Sequence, residues 1–121
     1  MVMIGGFLGA GCRFLVGNGI HHSGFPLGTF IVNLIGCFVL GLIIPTVRKQ
    51  YPNLFYLLGT GFIGAFTTFS TFSVETFILL DHNQYGLAIS YVLLSLFLGI
   101  GLSFISYKLA LIFQERQGNK I

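Results

Sequence analysis

The sequence predicts an all-α integral membrane protein with four transmembrane helices, the third of them interrupted. Three observations carry this. First, 55% of the 121 residues are hydrophobic and 7% are charged, against about 25% charged in an ordinary soluble domain; mean hydropathy is +0.91. A chain this poor in charge cannot solvate its surface in water, so lipid is its solvent. Second, the apolar residues fall into four runs joined by short polar turns. Third, one run is broken by a cluster of glycines and hydroxyl residues. The length leaves room for one small domain. The net charge of +3 is low and its cations sit mostly at the ends of runs, a membrane-topology pattern that gives no reason to expect a nucleic-acid partner.

The runs cover residues 2–20, 27–47, 54–80 and 86–113, followed by a polar tail, 114–121, expected to fray. A spanning helix needs about 20 residues at 1.5 Å per residue. The third run would reach roughly 40 Å if continuous, a surplus that fits a break, although tilt would absorb it too. The connections contain Gly24 with Pro26, then Pro52 with Asn53, then Asp81 to Gln84, all turn signals. The first run is a poor secretory signal: no basic start precedes it and Arg13 interrupts it.

The third run departs from a plain membrane helix over Gly61 to Ser73. Gly61 and Gly64 are followed by Thr67, Thr68, Ser70, Thr71 and Ser73, interleaved with Phe66, Phe69 and Phe72. Glycine and hydroxylated residues are weak helix formers, and the hydroxyls compete for backbone partners. A helix break in lipid strands amides and carbonyls, so it is tolerated only inside protein or beside water. The stretch therefore predicts an interrupted helix at the centre of a buried site.

Polar residues inside the other runs mark what faces that site, because each is costly in lipid. Arg13 follows Gly5, Gly6, Gly9 and Gly11, small residues that let another helix approach closely; it either snorkels to the interface or lines an aqueous vestibule that attracts anions. Asn33, with Thr29 one turn before it, is either an interhelical tie or a donor to a solute. Tyr91, Ser95, Gly99, Ser103 and Tyr107 recur every four residues, forming a packing seam or a line of hydroxyl donors facing the Asn33 helix. Cys12 and Cys37 fall inside runs and read as packing residues. His21 and His22 sit in a loop as interfacial polarity. Glu75 lies toward the end of the third run, where it could reach an interface, and no acid occurs in the first two runs. A proton-coupled exporter of cations needs an embedded carboxylate; here the embedded groups are a cation, hydroxyls and an amide, which suit an anion. No thiol-pair, zinc-protease or nucleophile-elbow motif is present, and no catalytic residue is expected.

Three blocks resemble the fluoride channel family called Fluc, or CrcB: Gly5-Gly6-Phe7-Leu8-Gly9-Ala10 followed by Arg13, Gly28-Thr29-Phe30-Ile31-Val32-Asn33-Leu34-Ile35-Gly36, and Gly61 to Phe72. The resemblance runs through all four segments in order. It implies a passive, fluoride-selective channel that lets cytoplasmic fluoride leave the cell across the plasma membrane. It implies an antiparallel dimer with two pores along the subunit interface, and a structural Na+ where the two broken helices cross, held by the backbone carbonyls of Gly64 and Thr67. On the matching positions, Phe69 and Phe72 are pore phenylalanines beside Thr68 and Ser70. Asn33 is an amide donor, Tyr91 and Ser95 belong to a polar track, and Arg13 is the vestibule arginine. One hydroxyl that some members carry a turn beyond Ser95 is Gly99 here.

With four spans, both termini and the second loop share one side. That side carries Arg48, Lys49, Lys108, Arg116 and Lys120; the other carries no Lys or Arg. Lys and Arg in short flanking loops face the cytoplasm, so both termini are expected there, in one main orientation. An antiparallel pair then needs either a second copy inserted the other way or a homologous chain of opposite bias. The alternatives to a fluoride channel are a small ion-coupled exporter and a non-conducting partner subunit.

Overall fold

The computed structural model of the chain describes residues 1–20 and 24–118. His21 and His22 lie outside the described residues, as does Lys120. Four helical spans are long and apolar enough to cross a membrane: Val2–Gly19, Leu27–Val47, Pro52–Asp81 and Tyr85–Gly118. The first two are α1 and α2. The third is composite: α3 (Pro52–Phe55), a π-helical stretch Tyr56–Ile63, α4 (Gly64–Phe66) and, after a break, α5 (Phe69–Asp81). The fourth is α6.

The break falls inside the stretch that the hydroxyl cluster predicts. Thr67 (φ −73°, ψ 155°) and Thr68 (φ −145°, ψ 121°) are extended. The π-helical stretch before it is unforeseen. A π-helix bonds i to i+5, and Gly59 and Gly61 lie within it. Helix α1 packs on this stretch with its glycines: a Cβ at Gly5 would strike the Leu57 carbonyl oxygen, and one at Gly9 the Phe62 carbonyl oxygen. Backbone thus lies against backbone, the close approach that small residues permit.

Two bounds differ from expectation. The third span begins at Pro52, whose ring suits the first helical position. Helix α6 continues through the first part of the polar tail, to Gly118. Gln114, Glu115, Arg116 and Gln117 are good helix formers, and Gln114 Nε2 donates to the Pro45 carbonyl at 3.0 Å, which ties the extension to α2.

Helix α6 lies along α2, and α5 leans on α6. Where α5, α6 and the loop before α2 meet, Leu79, Ala88 and Tyr91 are buried, with Phe25, Phe30 and Phe72 against them. Phe25 meets Phe30 and Tyr91 edge to face at 5.5 and 5.4 Å, the arrangement that ring quadrupoles favour. The four-residue stripe on α6 holds only as far as Gly99. Tyr107 is exposed, and the buried face passes to Ser106 and Ala110. Each four-residue step overshoots a turn by about 40°, so the stripe rotates off the contact face. Most other large apolar side chains, Phe7, Phe14 and Phe97 among them, are exposed on the outside of the bundle, as lipid or a neighbouring subunit requires.

Candidate ion-conducting site

The break is seated on α2 by one side chain. Asn33 Oδ1 accepts from the Thr68 N–H at 2.8 Å, and Asn33 Nδ2 donates to the Thr68 carbonyl at 3.1 Å. An extended residue thus finds in a side-chain amide both partners a neighbouring strand would supply. One turn on, Gly36 leaves room for the Thr67 methyl, where any Cβ would collide with Thr67 Cγ2. Asn33 is therefore an interhelical tie, with one amide hydrogen still uncommitted.

Beyond the break, Thr68 caps α5. Its Oγ1 accepts from the Thr71 N–H at 3.2 Å and meets Thr71 Oγ1 at 3.1 Å and Ser70 Oγ at 3.3 Å. Such a cap satisfies an amide that a helix start leaves open. Phe69 and Phe72 then project with ring centroids 6.0 Å apart, inclined by 34°. Phe72 turns inward against Tyr91, centroids 4.9 Å apart, whereas Phe69 is 80% exposed. The two rings share a helix face, but Phe72 packs into the chain while Phe69 is largely exposed beside it.

Glu75, toward the end of the third span, faces the site. Glu75 accepts from Thr29 Oγ1 at 2.8 Å on one carboxylate oxygen and from the Tyr91 hydroxyl at 2.8 Å on the other. The Tyr91 proton is accordingly engaged by Glu75 in this geometry. Glu75 lies two turns into α5, on the inward face one turn beyond Phe72, and that position brings it to the buried Tyr91 ring. Arg13 is half-buried on α1, and it lines with Asn18, Thr29, Thr68, Thr71 and Glu75 a cavity of about 380 Å³. One guanidinium and one carboxylate thus face the same polar space.

Past Asn33, the seam between α2 and α6 becomes sparse in polar groups. Among the described residues, the buried Ser95 Oγ has no hydrogen-bond partner. Gly99 follows one turn later and is buried.

The break also releases carbonyls. In an unbroken helix, Thr68 N–H would bond the Gly64 carbonyl and Thr71 N–H the Thr67 carbonyl. The first bonds Asn33 Oδ1 and the second Thr68 Oγ1 instead. These two carbonyls are among the four that a helix end leaves without intrahelical donors, with those of Ala65 and Phe66 between them, and carbonyl oxygens of this kind suit a hard cation. A Cβ at Gly64 would meet nothing nearer than the Gly59 carbonyl oxygen at 3.9 Å, so its face is open to a neighbour.

A family model described as CrcB-like protein, Camphor Resistance (CrcB), matches residues 1–107. The chain belongs to the CrcB family. It is 50% identical over 115 residues to a protein of Oceanobacillus iheyensis named fluoride-specific ion channel FluC, covering 92% of this chain and 89% of that one. It is 48% identical over 102 residues to FluC 2 of Listeria innocua, with 82% and 79% covered. It is 44% identical over 110 residues to FluC of Gloeothece citriformis, with 87% and 89% covered.

The CrcB chain brings together most of the residues singled out by sequence: Asn33 with Thr68, Thr68 with Ser70, Phe69 with Phe72, and Phe72 with Tyr91. Sequence reasoning passed over Glu75 and gave Thr29 only a place beside Asn33. The available signal was spacing: Thr29 is one turn from Asn33, and Glu75 one turn from Phe72, on the two faces that meet.

Proposed function

We propose that this chain is a passive, fluoride-selective channel that lets fluoride leave the cytoplasm. The observation that carries the reading is the 50% identity, over 92% of the chain, to a protein named fluoride-specific ion channel FluC. The site's chemistry supports it. Fluoride is small and strongly hydrated, so a path must replace its water with many donors. Asn33 retains one amide hydrogen, Ser95 an unengaged hydroxyl, and Thr68 and Ser70 share a hydroxyl cluster. Phe69 and Phe72 offer ring edges, the positive rim of the quadrupole, where a full positive charge would hold the ion too long. Weak, multiple contacts let ions leave. Arg13 at the cavity supplies attraction, and Glu75 orients Tyr91 and Thr29 rather than meeting the anion.

The working unit is a pair of chains in antiparallel arrangement. Support comes from the Phe69 ring, largely exposed in one chain, and from the open face of Gly64. Gly64 and Thr67 would hold a structural Na+ through their carbonyls, neutralising the released oxygens where two breaks cross. The chain lies in the plasma membrane with both termini cytoplasmic, following the five-to-none bias of Lys and Arg. A homologous chain of opposite bias or an inverted second copy completes the pair.

Fluoride efflux from liposomes holding the purified chain tests the reading. The expected result is efflux down the fluoride gradient, unchanged when a proton gradient is collapsed. Efflux that needs the proton gradient would make the chain a coupled exporter. Efflux that appears only after a homologous chain is added would make it a partner subunit.

A further inference from the structure

The seam between α2 and α6 has a regular register. Thr29 and Tyr91 bond the same carboxylate. A Cβ at Gly99 would lie 3.3 Å from Cys37 Sγ, and one at Gly41 would strike Ser106 Oγ first and the Ser103 carbonyl next. In the first two pairs, Thr29 with Tyr91 and Cys37 with Gly99, the α6 residue follows its α2 partner by 62 positions, and by Gly41 the contact is already passing on to Ser106. A constant offset means parallel helices in fixed register, and it places Asn33 opposite Ser95. The rungs are therefore Thr29 with Tyr91, Asn33 with Ser95, and Cys37 with Gly99. At the third rung the only polar side chain is the Cys37 thiol.

A second observation points independently to a ligand here. Hydroxyls in helices commonly donate to the carbonyl four residues back, and Thr46, Thr67, Ser73, Thr76 and Ser90 all do so. Ser95 does not. It is the buried side-chain oxygen left without a partner among the described residues. A buried polar atom of this kind is costly unless something fills its need. It sits one turn before Gly99, on the rung adjoining Cys37.

We propose that the Cys37 thiol lines the ion path one turn beyond Ser95, taking the donor place that Gly99 cannot fill. The path is thereby a reaction site for soft, thiol-seeking cations. Thiol sulfur prefers such metals over hard ones. Mercuric ion displaces the thiol proton: the S–H bond breaks, an S–Hg bond forms, H+ is released and no electrons are exchanged. The bound metal then occupies the rung and stops the anion. The inference rests on the reading of this seam as a fluoride path.

The test uses the full chain in liposomes, with mercuric ion as the probe. Cys12→Ser, which removes the other thiol, leaves fluoride efflux unchanged, and mercuric ion then lowers that efflux by about tenfold or more, as a plug in a narrow path requires. Cys37→Ala lowers basal efflux, and what remains is insensitive to mercuric ion. If Cys37→Ala does not assemble, mercuration of the Cys12→Ser protein is followed by mass spectrometry. Fluoride at high concentration slows the adduct at Cys37 relative to gluconate at equal ionic strength. Full efflux in mercury-treated Cys12→Ser, or mercuration indifferent to fluoride, overturns the placement of Cys37. An absence of efflux before any mercury is added, with or without a homologous chain, would instead overturn the fluoride reading itself.

Discussion

Replacing Asn33 by alanine removes both bonds that hold Thr68. Thr68 is 7% exposed, so its N–H and carbonyl lose their side-chain partners where water is scarce. Stranding a buried polar group costs about 1–3 kcal/mol, which sets an upper range of about 2–6 kcal/mol for the two. Interhelical side-chain bonds in membranes average about 0.6 kcal/mol, which sets a floor of about 1.2. The floor applies when the groups find other partners. Here the extended backbone at Thr67 and Thr68 has no turn to fall back on, so the expected loss lies above it, about 2–4 kcal/mol. At about 4 °C per kcal/mol for a chain of this size, thermal denaturation in detergent should fall by about 8–16 °C. Asn33→Asp separates the two contacts: a carboxylate still accepts from Thr68 N–H, but it sets oxygen against oxygen at the Thr68 carbonyl. It should therefore be no more stable than alanine. Fluorescence-detected size exclusion after heating, with efflux measured on the surviving fraction, provides both readouts. If Asn33→Ala melts within about 2 °C of the parent, the account of Asn33 as the seat of the break is wrong.

Phe69→Ile and Phe72→Ile should each leave assembly intact and lower fluoride efflux by at least about tenfold, because an aliphatic side chain has no positive rim; normal efflux in a well-assembled double variant would remove both rings from the path. Gly64→Leu should prevent assembly rather than merely slow efflux, since a bulky side chain blocks close approach of two crossing helices. Replacing Na+ by N-methylglucamine throughout purification should lower the melting temperature of the parent, and identical melting in both salts would exclude the cation site. A cysteine placed after Ile121 should react with impermeant maleimide only when cells are opened. Equal labelling from both faces would refute the fixed orientation.

The four spans were legible because lipid leaves the chain few options: apolar runs of sufficient length, closed by Pro and Gly turns. The position of the break was legible for a related reason, since five hydroxyls among phenylalanines serve no purpose on a lipid face. The π-helical stretch was not. It depends on Gly5 and Gly9 lying against Leu57 and Phe62, residues about fifty positions away whose pairing no local pattern records. Thr29 and Tyr91, the partners of Glu75, were not legible because they come from two other helices. What sets the position of Glu75 is the inward face it shares with Phe72, and that face is defined only once α5 has been cut free at Thr68. The stripe on α6 misled beyond Gly99 because a spacing of four imitates a straight face for only about two turns.

The break joins two chemistries that a continuous helix would keep apart. Asn33 and the Thr68 hydroxyl draw off two amide hydrogens, so the carbonyls of Gly64 and Thr67 lose their donors and the end of α4 becomes a source of unpaired oxygen. By the same cut, α5 begins in mid-membrane, and the partial positive charge of a helix start falls beside Phe69 and Phe72. Discontinuous membrane helices use their two new ends in this way, carbonyls toward cations and amides toward anions. A lysine placed at the break would also attract an anion. It would do so with a full charge in a site of low dielectric, where attraction is strong enough to arrest the ion. Dipoles, ring edges and hydroxyls supply a graded attraction instead. Arg13, the one full positive charge among the named site residues, stands at the cavity beside Glu75 rather than at the phenylalanines, an arrangement that, on the proposed function, would separate capture of the anion from its passage.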